Sequence, residues 1–277
     1  MNKSRLSSSF AIISILSLGV FLFILETNFS RLAQARQEEI VLINRQLRFI
    51  LEPLSQNLGG RGQSDPGKRR ASGSRNDCPS NNGISLTAIV PQTLKSDGIK
   101  EHIFGKTIST SPRFWFYNPY ELTSDFRIKL VIRDEQGNEV YTTGKSSIAK
   151  TQPGIISFHD PNMKLESGKN YHWHFYVYCH PSDSAENLVV HGWINRMSLN
   201  SKQLSELNPQ MTSLKQAIFY AQMGAWFDAI SILGEQLTAN PQDKDFQAEW
   251  TNLLSDIGLT DLPSQNWQKL QLIEESE

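Results

Sequence analysis

His172 and His174 are the residues of this chain whose type and spacing first suggest chemistry. They stand two positions apart in Tyr171-His172-Trp173-His174-Phe175-Tyr176-Val177-Tyr178-Cys179. Side chains two apart on a strand leave the same face, so both imidazoles point one way. Two strand histidines can chelate zinc or copper, but a stable site takes three or four ligands. His180 and His191 could lie nearby, yet no carboxylate accompanies the pair at short spacing. The sequence therefore assigns no metal ligands and implies no cofactor. It assigns no catalytic residues either. There is no Gly-x-Ser-x-Gly elbow and no glycine-rich phosphate loop, the motifs that expose a nucleophile or cradle a phosphate. The β region has no close acid pair of the kind a glycosidase uses. The expectation is that the chain is not an enzyme.

Its aromatic residues suggest binding instead. Trp115 and Tyr117 share one face of their strand, and Tyr176 and Tyr178 share one face of theirs. If these faces adjoin and stay exposed, they form a flat platform suited to sugar rings or a peptide. If C-terminal helices cover the face, Trp226 or Trp250 packs there instead. Tyr220, Trp226 and Trp250 mark a second candidate surface, the groove of a helical hairpin that could take a partner protein.

The element that positions most of these residues is the stretch Tyr171–Cys179. Its odd positions are apolar and its even positions more polar, so it reads as a half-buried strand in the middle of a sheet. Ile84–Val90, Phe114–Tyr117, Phe126–Arg133, Val140–Tyr141, Gly154–Phe158 and Leu188–Met197 read as further strands, and Asp134–Asn138 as a hairpin turn. Many strands with turns between them and no helical period indicate a β-sandwich over 78–200. Leu165-Glu166-Ser167-Gly168-Lys169-Asn170-Tyr171 has the Leu-x-x-Gly-x-x-Tyr spacing of immunoglobulin-like and fibronectin-like domains, where the tyrosine hydroxyl ties a corner.

After Asn200 the period becomes helical. Ala217, Tyr220, Gly224, Trp226, Ala229, Leu233 and Pro241 fall in the register of one tetratricopeptide repeat. Asp243–Ile257 supplies a third helix, with Phe246, Trp250, Leu253 and Leu254 as its apolar stripe. A lone repeat does not stack into a solenoid, so 201–262 is expected to be a hairpin plus a capping helix docked on the sandwich. Residues 263–277 read as a loose acidic tail. The fold class is thus α+β: an immunoglobulin-like antiparallel sandwich followed by a tetratricopeptide-like appendage.

The N-terminal third sets the location. Lys3 and Arg5 precede the uncharged stretch Leu6–Leu25, and Ala33-Gln34-Ala35 has the small-x-small form of a cleavage site. Residues 1–35 read as a signal peptide, or as an uncleaved membrane anchor, since such a stretch could also just span a bilayer. Either way the body is exported to the periplasm or beyond. Residues 36–58 form a short amphipathic helical pattern (Ile40, Ile43, Leu47, Ile50, Leu54). Residues 59–77 are a basic Gly/Ser/Arg linker. Its positive charge and the acids that dominate from Glu235 onward could attract each other or face different partners. The net charge of −1 gives no field for nucleic acid. In an exported chain the two cysteines, Cys78 and Cys179, pair by default as one disulfide; the alternative is two buried thiols.

Several ordered motifs resemble one family. They are Ser74-Arg75-x-x-Cys78-Pro79, Leu86-Thr87-Ala88-Ile89-Val90-Pro91, Phe114-Trp115-Phe116-Tyr117-x-Pro119-Tyr120 and Pro153-Gly154-Ile155-Ile156-Ser157-Phe158. Gly168-Lys169-x-Tyr171-x-Trp173-x-Phe175, Tyr178-Cys179, Gly192-Trp193-Ile194 and Gly224-x-Trp226-x-Asp228-Ala229 follow. Together they are similar to the cyanobacterial family called domain of unknown function 928. The resemblance implies an envelope protein and no activity. The functional expectation is a non-enzymatic interaction or structural module of the envelope, with a protein partner. The alternative is a glycan-binding or cell-wall-binding module, and an envelope enzyme comes last.

Overall fold

In the computed structural model of the chain, the described residues are 65–71, 83–94, 101–179 and 187–273, with Phe49 alone before them. The chain divides into Met1–Gln46 and Leu47–Glu277, and every described residue belongs to the second unit. The signal segment and nearly all of the 36–58 helix lie outside the described residues, as do Cys78 and His180.

The strands are β1 (Thr87–Ala88), β2 (Gln92–Leu94), β3 (Glu101–Thr107), β4 (Phe114–Asn118), β5 (Arg127–Arg133) and β6 (Glu139–Thr142). They continue as β7 (Ser146–Ile148), β8 (Gly154–Phe158), β9 (Asn170–Tyr178) and β10 (Asn187–Arg196). Helices α1 (Ser201–Glu206), α2 (Ser213–Gln222), α3 (Trp226–Ala239) and α4 (Lys244–Asp256) follow, before β11 (Gln268–Lys269) and β12 (Leu272–Ile273). The protein is therefore mixed α+β, rich in strand. One sheet runs β1-β4-β8-β11, and a larger one runs β12-β7-β5-β9-β10-β3-β2, with β6 also on β5.

β9 is an inner strand of the large sheet, between β5 and β10. Its odd residues are buried and its even ones half-buried, as the alternation predicts. The buried row meets β4 of the small sheet: Phe116 stacks on Phe175 at 4.1 Å, and Phe114 tilts on Trp173 at 5.7 Å. Trp115, on the other face of β4, lies under the helices. Trp115 meets Trp250 edge-on at 5.7 Å, and its Nε1 donates to Ser231 Oγ. Trp226 Nε1 donates to the Ile89 carbonyl at 2.9 Å. The small sheet is thus a middle layer, which is why β4 reads as an unbroken apolar run. A strand covered on both faces has no solvent side to mark with polar residues.

The corner at Tyr171 forms as its spacing predicts. The hydroxyl accepts a hydrogen bond from the Glu166 amide at 2.9 Å, and Gly168 supplies the positive φ, +78°, that the loop needs. At the hairpin after β5, Asp134 Oδ1 accepts from the amides of Gln136 and Asn138. Thr212 caps α2 and Asp243 caps α4 through their side-chain oxygens.

Three features differ from the sequence reading. The sheets are not wholly antiparallel: β10 runs parallel to β3, and β11 parallel to β8. Parallel neighbours need a long crossover rather than a tight turn. Here β4–β9 make the first crossover and the helices contribute to the second. The tail from Pro263 is not loose over its described part, since β11 extends the small sheet, β12 pairs with β7, and Trp267 is buried against Trp250. The described part of the basic linker is also docked. Lys68 forms a β-bridge with His191 and Arg70 one with Thr87, while Arg69 Nη1 donates to the Ile257 carbonyl. The Arg70 guanidinium grips both Asp261 oxygens at 2.8 and 2.7 Å. Of the two fates open to the basic and acidic stretches, this pair realises mutual attraction. The helices belong to the same compact unit as the sheets, and their apolar faces cover β4.

Candidate functional site

The structure separates the aromatic residues singled out from sequence. Trp115 and Tyr117 are buried in the small sheet, Trp115 beneath the helices, so they cannot form an exposed platform. Tyr176 and Tyr178 stand on the outer face of the large sheet and remain half-buried. Tyr220, Trp226 and Trp250 are buried too. Trp226 and Trp250 pack at the junction of helices and small sheet, while Tyr220 lines a cleft beside α2 and α3. An aromatic alternation cannot distinguish a strand with one free face from one capped by a later element.

What remains accessible is the outer face of β9. His172, His174, Tyr176 and Tyr178 project from it in one row, and the rings stack along the strand. His174 and Tyr176 are 6.1 Å apart with planes 10° from parallel; Tyr176 and Tyr178 are 6.1 Å apart at 20°. Strand pairing places Arg127, Lys129 and Arg133 of β5 opposite Tyr178, Tyr176 and His172. On the other side, β10 places Asn187, Val189 and His191 opposite Tyr178, Tyr176 and His174. Lys145 Nζ sits 4.4 Å above the Tyr178 ring, a cation–π contact. The result is an aromatic row bordered on the β5 side by basic side chains, held by a strand paired along most of its length on both sides.

At one end of the row three imidazoles converge. His191 comes from β10 and lies directly across from His174. One ring nitrogen from each of His172, His174 and His191 falls within 4.8 Å of the others. The sequence placed His172 and His174 on one face. It could not place His191, because the register of β9 on β10 depends on long-range pairing. Burial lowers the pKa of all three: His172 to about 4 and His174 to about 3, with the neighbouring imidazoles adding to both shifts. His172 and His174 are therefore neutral at pH 7.

A second concave region lies where the end of β3 and the loop after it meet α2 and α3. It is a cleft of about 320 Å³ whose lining includes Ser111, Arg113, His159, Tyr220, Asp228 and Glu235. Its polar groups are largely engaged with one another. Arg113 Nε donates to Glu235 Oε1 at 2.8 Å, and Ser111 Oγ donates to the Asp160 carbonyl. His159 Nε2 is 3.4 Å from Ser111 Oγ. Burial lowers the His159 pKa, and the adjacent Arg113 adds to the shift. Asp228 Oδ2 accepts from the Ile108 amide at 3.0 Å, pinning α3 to the end of β3.

The sequence model of the Domain of Unknown Function (DUF928) family matches residues 70–267. The chain belongs to the DUF928 family. The matched span runs from Arg70, the partner of Asp261, to Trp267, the partner of Trp250. The DUF928 region therefore takes in both sheets and the helical layer together. Comparison with curated proteins finds no match.

Proposed function

We propose that this DUF928 chain is a non-enzymatic binding module of the cell envelope, and that it holds a glycan or cell-wall polymer on the outer face of the large sheet. The observation that carries this reading is the half-buried pair Tyr176 and Tyr178 flanked on one side by the basic strand β5. Stacked phenol rings suit the apolar faces of sugars, and flanking Arg127, Lys129 and Lys145 suit a polymer bearing carboxylates or phosphates. The protein-partner reading loses its main support, because Tyr220, Trp226 and Trp250 are core residues. The non-enzymatic reading draws on the cleft, where Ser111 gives its hydroxyl to a backbone carbonyl and Arg113 is paired with Glu235.

Export follows from residues 1–35 read as a signal peptide or anchor. No helix among the described residues is long and apolar enough to cross a membrane, so membrane attachment would fall to that segment. A Cys78–Cys179 disulfide belongs to the same reading, and the burial of Cys179 just past β9 is compatible with it. The Tyr171 corner supports kinship with immunoglobulin-like sandwiches. The α2–α3 hairpin, turning at Gly224, supports kinship with a tetratricopeptide unit.

The test uses the full chain, because residues 65–71 are docked on the fold. The oxidised protein is sedimented with purified peptidoglycan and with envelope polysaccharide. Retention should disappear in Tyr176→Ser/Tyr178→Ser while the melting temperature holds. Retention that ignores these tyrosines overturns the assigned face. A stoichiometric protein partner with no polymer retention restores the adaptor reading.

A further inference from the structure

We propose that His172, His174 and His191 form a binding site for one divalent transition-metal ion of borderline softness, zinc or copper, with Asp65 as a fourth ligand. Two of the imidazoles leave β9 at alternate positions and the third crosses from β10 in register with His174. Ligands mounted on paired inner strands are held more precisely than ligands on loops.

The geometry is close to that of a loaded site. The ligand nitrogens lie within 4.8 Å of one another. Zinc–nitrogen bonds of about 2.0–2.1 Å at a tetrahedral angle put neighbouring nitrogens roughly 3.4 Å apart. His172 Nε2 and His191 Nδ1 are already 3.1 Å apart, so the remaining approach falls to the His174 ring. His174 Nδ1 is buried and has no hydrogen-bond partner among the described residues. A buried, unpaired ring nitrogen is costly unless something occupies it, and an ion at the centre of the cluster would do so.

Asp65 stands at the edge of the cluster, outside the three converging nitrogens, and would close in as the fourth ligand. Its Oδ2 lies 3.6 Å from His191 Nδ1, and its Oδ1 accepts from the Gly67 amide. The segment carrying it is fixed over β10 from two sides. Lys68 and His191 exchange backbone hydrogen bonds, and Trp193 Nε1 donates to the Asp65 carbonyl at 3.1 Å. The His172 ring stacks flat on Trp193 at 4.5 Å, which limits its rotation. Three imidazoles and a carboxylate form a hard-to-borderline donor set that favours Zn(II) and Cu(II) over Mg(II) or Ca(II). Lys68 and Arg133 stand near enough to oppose the incoming charge. The site therefore depends on the carboxylate of Asp65 as well as on the imidazoles.

The experiment uses the full chain without an affinity tag, stripped with chelator and titrated separately with zinc and with copper. One ion per chain should bind, with magnesium as an inert control. His174→Gln and His191→Asn should each weaken binding by about 100-fold or more, and Asp65→Asn by about 10-fold, within the range that lost ligand and support interactions cost. His159→Gln, outside the cluster, should leave binding unchanged. If the histidine variants fail to fold, copper loaded into the unaltered chain decides the matter. Its electron paramagnetic resonance should show coupling to three imidazole nitrogens. Absence of saturable one-to-one binding, undiminished binding in the variants, or a spectrum with fewer than three nitrogens would overturn the assignment.

Discussion

The indole of Trp115 occupies the space that a side chain at Gly234 would need. A Cβ built on Gly234 would come within 2.4 Å of Trp115 Cζ2 and Cη2. Glycine in mid-helix is normally a cost of about 1 kcal/mol against alanine. Here it lets α3 lie directly on β4. Gly234→Ala should therefore destabilise the protein, where intrinsic helix propensity alone predicts the reverse. Overpacking of this kind typically costs about 1–3 kcal/mol. Urea denaturation of the two proteins measures it, and a variant at least as stable as the parent would show that α3 does not bear on Trp115 this closely.

The return of the chain after the helices makes a second expectation. Trp267 is buried and meets Trp250 edge-on at 6.1 Å. Trp267→Ala should cost about 3–5 kcal/mol, as truncation of a buried aromatic does. A chain ending at Leu262 should lose at least as much, because it also loses β11 and β12. If truncation leaves the thermal transition unchanged, the tail is dispensable.

That tail also shows where sequence reading stops. Gln268–Lys269 and Leu272–Ile273 are too short to carry a period, and their structure comes entirely from the edges of β8 and β7. β3 was missed for a related reason, since Glu-His-Ile-Phe-Gly-Lys-Thr does not alternate. By contrast, β9, β5 and the α2–α3 hairpin were legible, because each has one face committed to the core by its own residue pattern. The candidate site divides the same way. The shared face of His172 and His174 is local information, whereas the arrival of His191 and Asp65 beside them depends on register and docking. The burial of Trp115 depends on helices more than a hundred residues away in the chain.

The Tyr171 corner offers a single-atom test. Tyr171→Phe removes the acceptor for the Glu166 amide and leaves the ring in place. The loss should be about 1 kcal/mol, typical of one hydrogen bond whose backbone donor is left partly buried. The measurement is the shift in denaturant midpoint at constant slope. A zero shift would mean that water replaces the hydroxyl at no cost.

Asp228 gives a pH dependence with a definite sign. Burial in the cleft lifts its carboxyl to about 6, well above the ordinary carboxylate range, even though Ile108 and Thr107 hydrogen-bond to it. A carboxyl with a raised folded-state pKa binds its proton more tightly when folded. Between about pH 4 and 6 the folded state holds more protons than the unfolded one, so this group's contribution to stability falls as pH rises through that window. Above it the cost is constant. Asp228→Asn cannot ionise, yet keeps an oxygen to accept from the Ile108 amide. The melting temperature of the parent minus that of Asp228→Asn should therefore decrease from pH 4 to pH 6.5 and then level off. An increase over the same range would mean that the amide donors at the end of β3 stabilise the carboxylate more than burial penalises it.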